Sequence, residues 1–207
     1  MSFTRRSVLV GGAIVVSGCG QASEPSTQPQ QPAAEDPRPR VYSHLNQTAS
    51  DFELPKLGGG TAHLSDYAGK TLILSFGGLW CPDCILDGPY LSHLAQLAAA
   101  SNDVAFLDIH TRNRFGKWGP NERERTGQTS YNVDESAVAL NAYFQETGHS
   151  YPVAFDVTRT WAREAYGIEW YPTYVIVGRN GVIQRWRTDL FDRASTESFF
   201  AEARELG

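Results

Sequence analysis

The sequence lacks most of what marks a nucleic-acid-binding, membrane-spanning or metal protein. It has no positive excess: 18 Lys and Arg stand against 23 Asp and Glu, a formal net charge of −5. A nucleic-acid partner needs a basic surface, so there is no case for one. The apolar run near the start, Ser7 to Gly18, is far shorter than the ~20 residues of a spanning helix. There is no internal repeat. Cysteine is scarce, with only Cys19, Cys81 and Cys84, and the five histidines (44, 63, 93, 110 and 149) are scattered singly. A closed zinc site takes four ligands, commonly two C-x-x-C pairs or one such pair with H-x₃₋₅-H. Here there is one pair, so no metal is expected, and the histidines read as surface or core residues.

What is present begins with an export signal. "MSFTRRSVLVGGAIVVSGCG" runs from a basic end through a short apolar stretch to a small-residue cleavage site. "VSGC" has the form of a lipobox, so Cys19 resembles the lipid-modified first residue of a mature bacterial lipoprotein. Arg5 and Arg6 in "TRRSVL" resemble a twin-arginine signal with Val8 in place of the usual Phe, and an ordinary export signal stays open beside it. The expected organisation is a signal over residues 1–18, a lipid anchor and Pro/Gln-rich tether over 19–47, and a domain over 48–207. A tether so poor in large apolar side chains cannot bury enough surface to fold. Fully extended at ~3.1 Å per residue, residues from about 21 to 42 would hold the domain up to roughly 60–70 Å from a membrane.

Within the domain, "DFELPKLGGGTAH" reads as two short strands around the Gly58–Gly60 turn. "TLILSF" (71–76) is a continuous apolar run of strand length, as a buried central strand should be. A helix is expected from Cys81 to about Ala99, with Leu86, Tyr90, Leu91, Leu94 and Leu97 on its apolar face and a kink at Pro89. "DVAFLDI" (103–109) then completes a right-handed βαβ unit. A second helix starts at Asp134 and closes at Gly148, "YPVAFD" is a short strand, and "TRTWAREAYG" is a third helix. "TYVIVGRNGVIQRWR" predicts a hairpin with a two-residue Asn180-Gly181 turn, and a last helix runs from about Ser195 to Leu206. The order gives an α/β sandwich: a mixed sheet with a parallel centre and an antiparallel edge hairpin, helices on both faces, and an N-terminal β-hairpin.

If Cys19 carries lipid, Cys81 and Cys84 remain as an even pair in an exported protein. Pro82 is pre-set for a helix start, so Cys81 occupies the N-cap, where backbone N–H groups and the dipole favour a thiolate. Cys84 lies one turn on, close enough for a disulfide. Cys81 can then attack a partner's disulfide and Cys84 resolve the mixed intermediate. The alternative, a structural disulfide, would close a loop too short to give much entropic stabilisation.

These residues resemble the thioredoxin superfamily, and within it the exported TlpA/ResA-type thiol–disulfide oxidoreductases. The resemblance covers roughly residues 48–207 and rests on "DFELPKLGGGTAHLSDYAGKTLILSF", on "WCPDC" with Trp80 and Pro82, and on "YGIEWYPTYVIVGRNGVI". It implies a cis-Pro172 facing the cysteines, with the Tyr171 backbone pairing with a client strand. It also implies that Asp87, with Pro89 after it, helps move the resolving thiol's proton, although the usual residue is the longer Glu. Thioredoxins proper carry a buried Asp six residues before the first cysteine; here Ser75 stands there. The resemblance further implies a monomer without an organic cofactor that reduces disulfides of exported clients, for instance in cytochrome c maturation, and is recharged by a membrane electron donor. A disulfide oxidase stays open, because Asp83 both repels the thiolate and complements the helix N-terminus. A peroxiredoxin-type peroxidase lacks its Pro-x-x-x-Thr-x-x-Cys frame in "GGLWCPDC", and a copper chaperone lacks its cysteine spacing and late His. A binding module with a static disulfide is the non-enzymatic rival.

The segment 111–133, "TRNRFGKWGPNERERTGQTSYNV", is long for a connection in a compact domain. It leaves the sheet edge where the cysteine helix starts. Arg112, Arg114 and Trp118 make it a candidate lid or docking surface for an acidic partner, and a solvated insertion balanced by Glu122 and Glu124 is the other reading. Deleting residues 113–130 separates the two. Turnover with the physiological partner falls if the segment docks it, and is unchanged in a folded protein if it does not.

Overall fold

The computed structural model describes residues 42–111, 133–158, 161–188, 190 and 192–207. The signal, the tether up to residue 41 with Cys19, and the loop residues Arg112, Arg114 and Trp118 lie outside the described residues.

The apolar run at 71–76 becomes β3 (Thr71–Gly77), the centre of a five-stranded sheet in which all seven of its residues are buried. It pairs in parallel with β4 (Val104–His110), which pairs in parallel with β5 (Val153–Phe155). On its other side lies β6 (Thr173–Val177), antiparallel, followed by β7 (Ile183–Arg187). The order β5-β4-β3-β6-β7 is the mixed sheet expected. The N-terminal hairpin, β1 (Glu53–Pro55) and β2 (Thr61–His63), is also present. A Lys56–Ala154 bridge and the Leu57 N–H to Val153 carbonyl bond (2.9 Å) lay it along β5. An otherwise open sheet edge is thereby covered.

Strand alternation sends Leu72, Leu74 and Phe76 to one face of the sheet and Ile73 to the other. The first face packs on Phe52, Leu54 and the short helix α4 (Trp161–Tyr166). The Tyr166 hydroxyl donates to the Ser50 carbonyl at 2.6 Å, and the Tyr42 hydroxyl donates to the Tyr166 carbonyl. The second face packs on α2 (Gly88–Ala99) and on α5 (Arg193–Glu205) through Leu91, Leu94, Phe199 and Ala203. α3 (Val133–Thr147) covers β5 with Ala139, Leu140 and Tyr143, and ends at Gly148, whose φ is 72° and whose N–H donates to Phe144 at 2.9 Å. The helix begins one residue before Asp134, which therefore sits in its first turn.

Two expectations are corrected. The cysteine helix is two helices, α1 (Pro82–Leu86) and α2, with Asp87 between them. Pro89 lacks the N–H that would continue α1, so the break falls just before it. Because α1 does not share the register of α2, Leu86 leaves the apolar stripe and stands 70% exposed. In the hairpin, Gly181 N–H donates to the Gly178 carbonyl at 2.8 Å, so Arg179 and Asn180 are the central turn residues. Gly181 alone takes a positive φ, 75°. This is a type I turn closed by a glycine bulge, the three-residue loop rather than the two-residue one.

Phe199 and Leu86 separate core from surface. Phe199→Ala should lower unfolding free energy in urea by ~3–5 kcal/mol, since Phe199 is fully buried. Leu86→Ala should change it by less than ~0.5 kcal/mol.

Candidate active site

The loop after β3 delivers Trp80 and Cys81 to the sheet's C-terminal edge. Cys81 is the N-cap of α1 in extended conformation, with Pro82 at the first helical positions. Its Sγ accepts the Cys84 N–H at 3.2 Å, so the sulfur already sits where a thiolate would gain from the helix N-terminus. Cys81 and Cys84 are disulfide-bonded, with Cα atoms 5.3 Å apart, and are 5% and 8% exposed. Cys84 faces inward against Gly77: a Cβ at that position would stand 3.1 Å from the Cys84 sulfur. A side chain at position 77 would therefore press on the Cys84 sulfur.

Tyr171–Pro172 is cis, as the resemblance implied, and Pro172 and Cys84 line the same small cavity. Trp80 and Tyr171 meet edge to face at 4.9 Å. The Trp80 indole donates to the Thr111 carbonyl at 2.7 Å, and Thr111 donates from N–H to the Gly77 carbonyl at 2.7 Å. The segment that departs after Thr111 therefore leaves from beside the cysteines. Trp80, Cys81, Pro82, Cys84, Tyr171 and Pro172 are brought together as expected.

Asp87 is buried at the α1–α2 break and accepts the Tyr174 hydroxyl at 2.6 Å. Tyr174 is fully buried on β6, directly opposite Ser75 in the antiparallel register. Ser75 in turn lies opposite Asp108 in the parallel register of β4. Sequence reasoning singled out Ser75 for what it is not and passed over Asp108 altogether. The signal was there: an acid inside the otherwise apolar "VAFLDI". A carboxylate in a buried strand needs a partner or a purpose.

Asp108 is 4% exposed. Burial pushes its carboxyl up to about 6 from 3.8, against the Ser75 hydroxyl and the His110 charge, which favour the ionised form. Burial also drives the Tyr174 and Tyr151 hydroxyls well above the usual tyrosine value, with the Asp87 and Asp108 carboxylates adding to the effect on Tyr174. Both tyrosines therefore stay neutral donors at physiological pH.

A helix-capping dithiol facing a cis-proline, on a five-stranded mixed sheet with helices on both faces, is the thioredoxin-like arrangement. Residues 44–198 match the Redoxin family, and the chain belongs to it. Among curated proteins it is similar to the thiol-disulfide oxidoreductase ResA of Geobacillus thermodenitrificans, 26% identical over 141 residues that span 68% of this chain and 67% of that one. The ResA of Geobacillus kaustophilus is 25% identical over 153 residues, 74% of each chain. Among solved structures, the exposed lipoprotein thioredoxin of Streptococcus pneumoniae aligns with a TM-score of 0.53 at 23% identity, over 74% of this chain and 99% of that one. A thioredoxin-family thiol:disulfide interchange protein of Chlorobium tepidum aligns at 0.55 and 20%, over 77% and 96%. At these identities the structural likeness is one of fold.

The raised Asp108 carboxyl has a consequence for stability. Between pH 3.8 and about 6 the folded state holds this proton more tightly than the unfolded state, so stability falls as pH rises through that window. A difference of about two pH units is worth on the order of 3 kcal/mol. Asp108→Asn should therefore stabilise the disulfide form by that order at about pH 7.5, and the gain should vanish below about pH 4. Urea denaturation at the two pH values measures it.

Proposed function

We propose that the chain is an extracytoplasmic thiol–disulfide oxidoreductase that reduces disulfides of exported protein clients through Cys81 and Cys84. The observation that carries this reading is the placement of Cys81: at the N-cap of α1, its sulfur accepting a backbone N–H, beside the cis-Pro172. Membership of the Redoxin family and the similarity to proteins named thiol-disulfide oxidoreductase support it. The lipobox-like Cys19 and the Pro/Gln-rich tether support an anchored, outward-facing location. Among the described residues no helix is long and apolar enough to cross a membrane.

In the reduced protein the Cys81 thiolate attacks a client disulfide in line, and one client sulfur leaves as a thiolate. The Tyr171 backbone, held by the cis bond beside the cysteines, offers its polar groups to an extended client segment. The resolving Cys84 loses its proton, attacks the Cys81 sulfur and expels the second client sulfur. The Cys81–Cys84 disulfide remains, and a membrane electron donor restores the dithiol. Asp87 accepts the Tyr174 hydroxyl behind this pair. Clients on the route to cytochrome c assembly suit this chemistry, since their thiols must be free before haem attachment.

The reduction potential of the couple tests direction. A value near about −270 mV means a reductant and one near about −120 mV an oxidant. A disulfide that mild thiols cannot open means a binding module. We expect the first result. Cys84→Ser should accumulate mixed disulfides with clients, and Cys81→Ser should form none. Peroxide consumption that survives Cys84→Ser would instead mark a peroxidase.

A further inference from the structure

Behind the disulfide lies a small enclosed cavity whose walls include Cys84, Ser75, Asp108, His110, Tyr174 and Pro172. Its volume is about 10 Å³, the room that one water molecule needs. Asp87 meets this space through the Tyr174 hydroxyl, whereas the Asp108 side chain belongs to the row Tyr174–Ser75–Asp108 that forms the cavity's floor. The next row towards the strand end is Gly77 and His110, and Cys84 sits over Gly77. Asp108 and Cys84 thus face the same water-sized space from the sheet and from the helix.

We propose that Asp108 takes the proton of the Cys84 thiol, through one water in this cavity, in the step that closes the Cys81–Cys84 disulfide. This rests on the dithiol reading above. The step balances within the site. The Cys84 S–H proton passes to the water, and a water proton passes to the Asp108 carboxylate. The thiolate then forms the Cys84–Cys81 bond as the Cys81–client bond breaks, and the electron pair leaves on the client sulfur. The Asp108 proton is given up to that sulfur or to solvent. When the protein is recharged the same path returns a proton to Cys84.

Three features favour this carboxylate. It is buried, so its proton affinity lies near neutrality, and an acceptor works best when its own pKa is close to the operating pH. Ser75 donates a hydrogen bond to it, which fixes its place without occupying every lone pair. Asp108 is the register partner of Ser75 on the neighbouring strand, which places its carboxylate on the sheet face that Cys84 covers. The titratable groups around it are His110 on β4, Tyr174 on β6, Tyr151 ahead of β5, Tyr143 on α3, Asp87 at the helix break and Cys84 on α1. Of these, His110 favours the ionised Asp108, and Tyr151 and Tyr174 stay neutral over the range where it titrates.

The test follows the reduced protein reacting with an aromatic disulfide whose released thiolate is coloured. Attack by Cys81 releases one equivalent and closure by Cys84 the second, so the second burst reads the step in question. Its rate in the wild type should rise with pH through an inflection in the slightly acidic range and then level off. Asp108→Asn should lose that inflection and be slower by about tenfold or more near pH 7, given that general bases contribute ~10²–10⁴-fold. It should approach the wild type at high pH, where hydroxide takes the proton. Asp87→Asn should keep the inflection. A second burst in Asp108→Asn with the wild-type pH profile would overturn the proposal while leaving the dithiol reading intact. No second burst in the wild type would sink that reading itself. Independently of any variant, the Asp108 carboxyl carbon should titrate at different pH in the disulfide and dithiol proteins by NMR. The same titration in both forms would also overturn the proposal.

Discussion

The close approach of the Cys84 sulfur to the backbone of Gly77 is the contact on which the site depends. It brings the first turn of α1 down onto the end of β3, which has a parallel neighbour on one side and an antiparallel neighbour on the other. The parallel partner supplies Asp108, His110 and the Thr111 carbonyl that holds Trp80. The antiparallel partner supplies Tyr174 and begins just after the cis-proline. The sheet-side walls of the site, Asp108, His110 and Tyr174, are therefore fixed by hydrogen-bond registers. A larger residue at position 77 would press on the Cys84 sulfur and shift the first turn of α1 by a few tenths of an ångström.

The break between α1 and α2 falls just before Pro89, which lacks the N–H that would continue α1. Ending α1 after five residues lets the two helices choose their own faces. The turn between them then directs Asp87 inward to Tyr174 and Leu86 outward to solvent. Leu86 stands three residues after Asp83, so an exposed apolar side chain accompanies the exposed carboxylate on α1. Single exposed leucines are common, and its interest here lies only in the mechanism that put it outside.

Much of this was legible in the sequence because the signals were local. The apolar run of β3, the glycine-rich hairpin, the Cys-Pro start of α1 and the Gly148 stop of α3 each act through their own few residues. What was not legible depends on pairing. A helical stripe that includes Leu86 is sound only if the helix is continuous, and the composition of "ILDGPY" could not say on which side of Pro89 it would yield. The Asn180-Gly181 dipeptide is as common a turn signal as any, yet whether both residues or only the glycine take a positive φ depends on the register of β6 and β7. Asp108 was missed for the same reason. Ser75 looked like the loss of a buried acid, and only the parallel register reveals an acid directly beside it.

That displacement bears on why a buried carboxylate persists at all. Asp108 costs the fold stability at neutral pH, since a desolvated charge is poorly compensated by one serine hydroxyl and a histidine. An asparagine would satisfy the same hydrogen bond at no such cost. A residue that destabilises a core and has a cheaper isosteric substitute is explained by its ability to change protonation state, which is the property that asparagine lacks. The two carboxylates also divide the space unequally: Asp87 is committed to the Tyr174 hydroxyl, and Asp108 shares the cavity with the sulfur. A short acid at position 87, held by Tyr174, fits a site in which the sheet supplies the acceptor that shares the cavity with the sulfur.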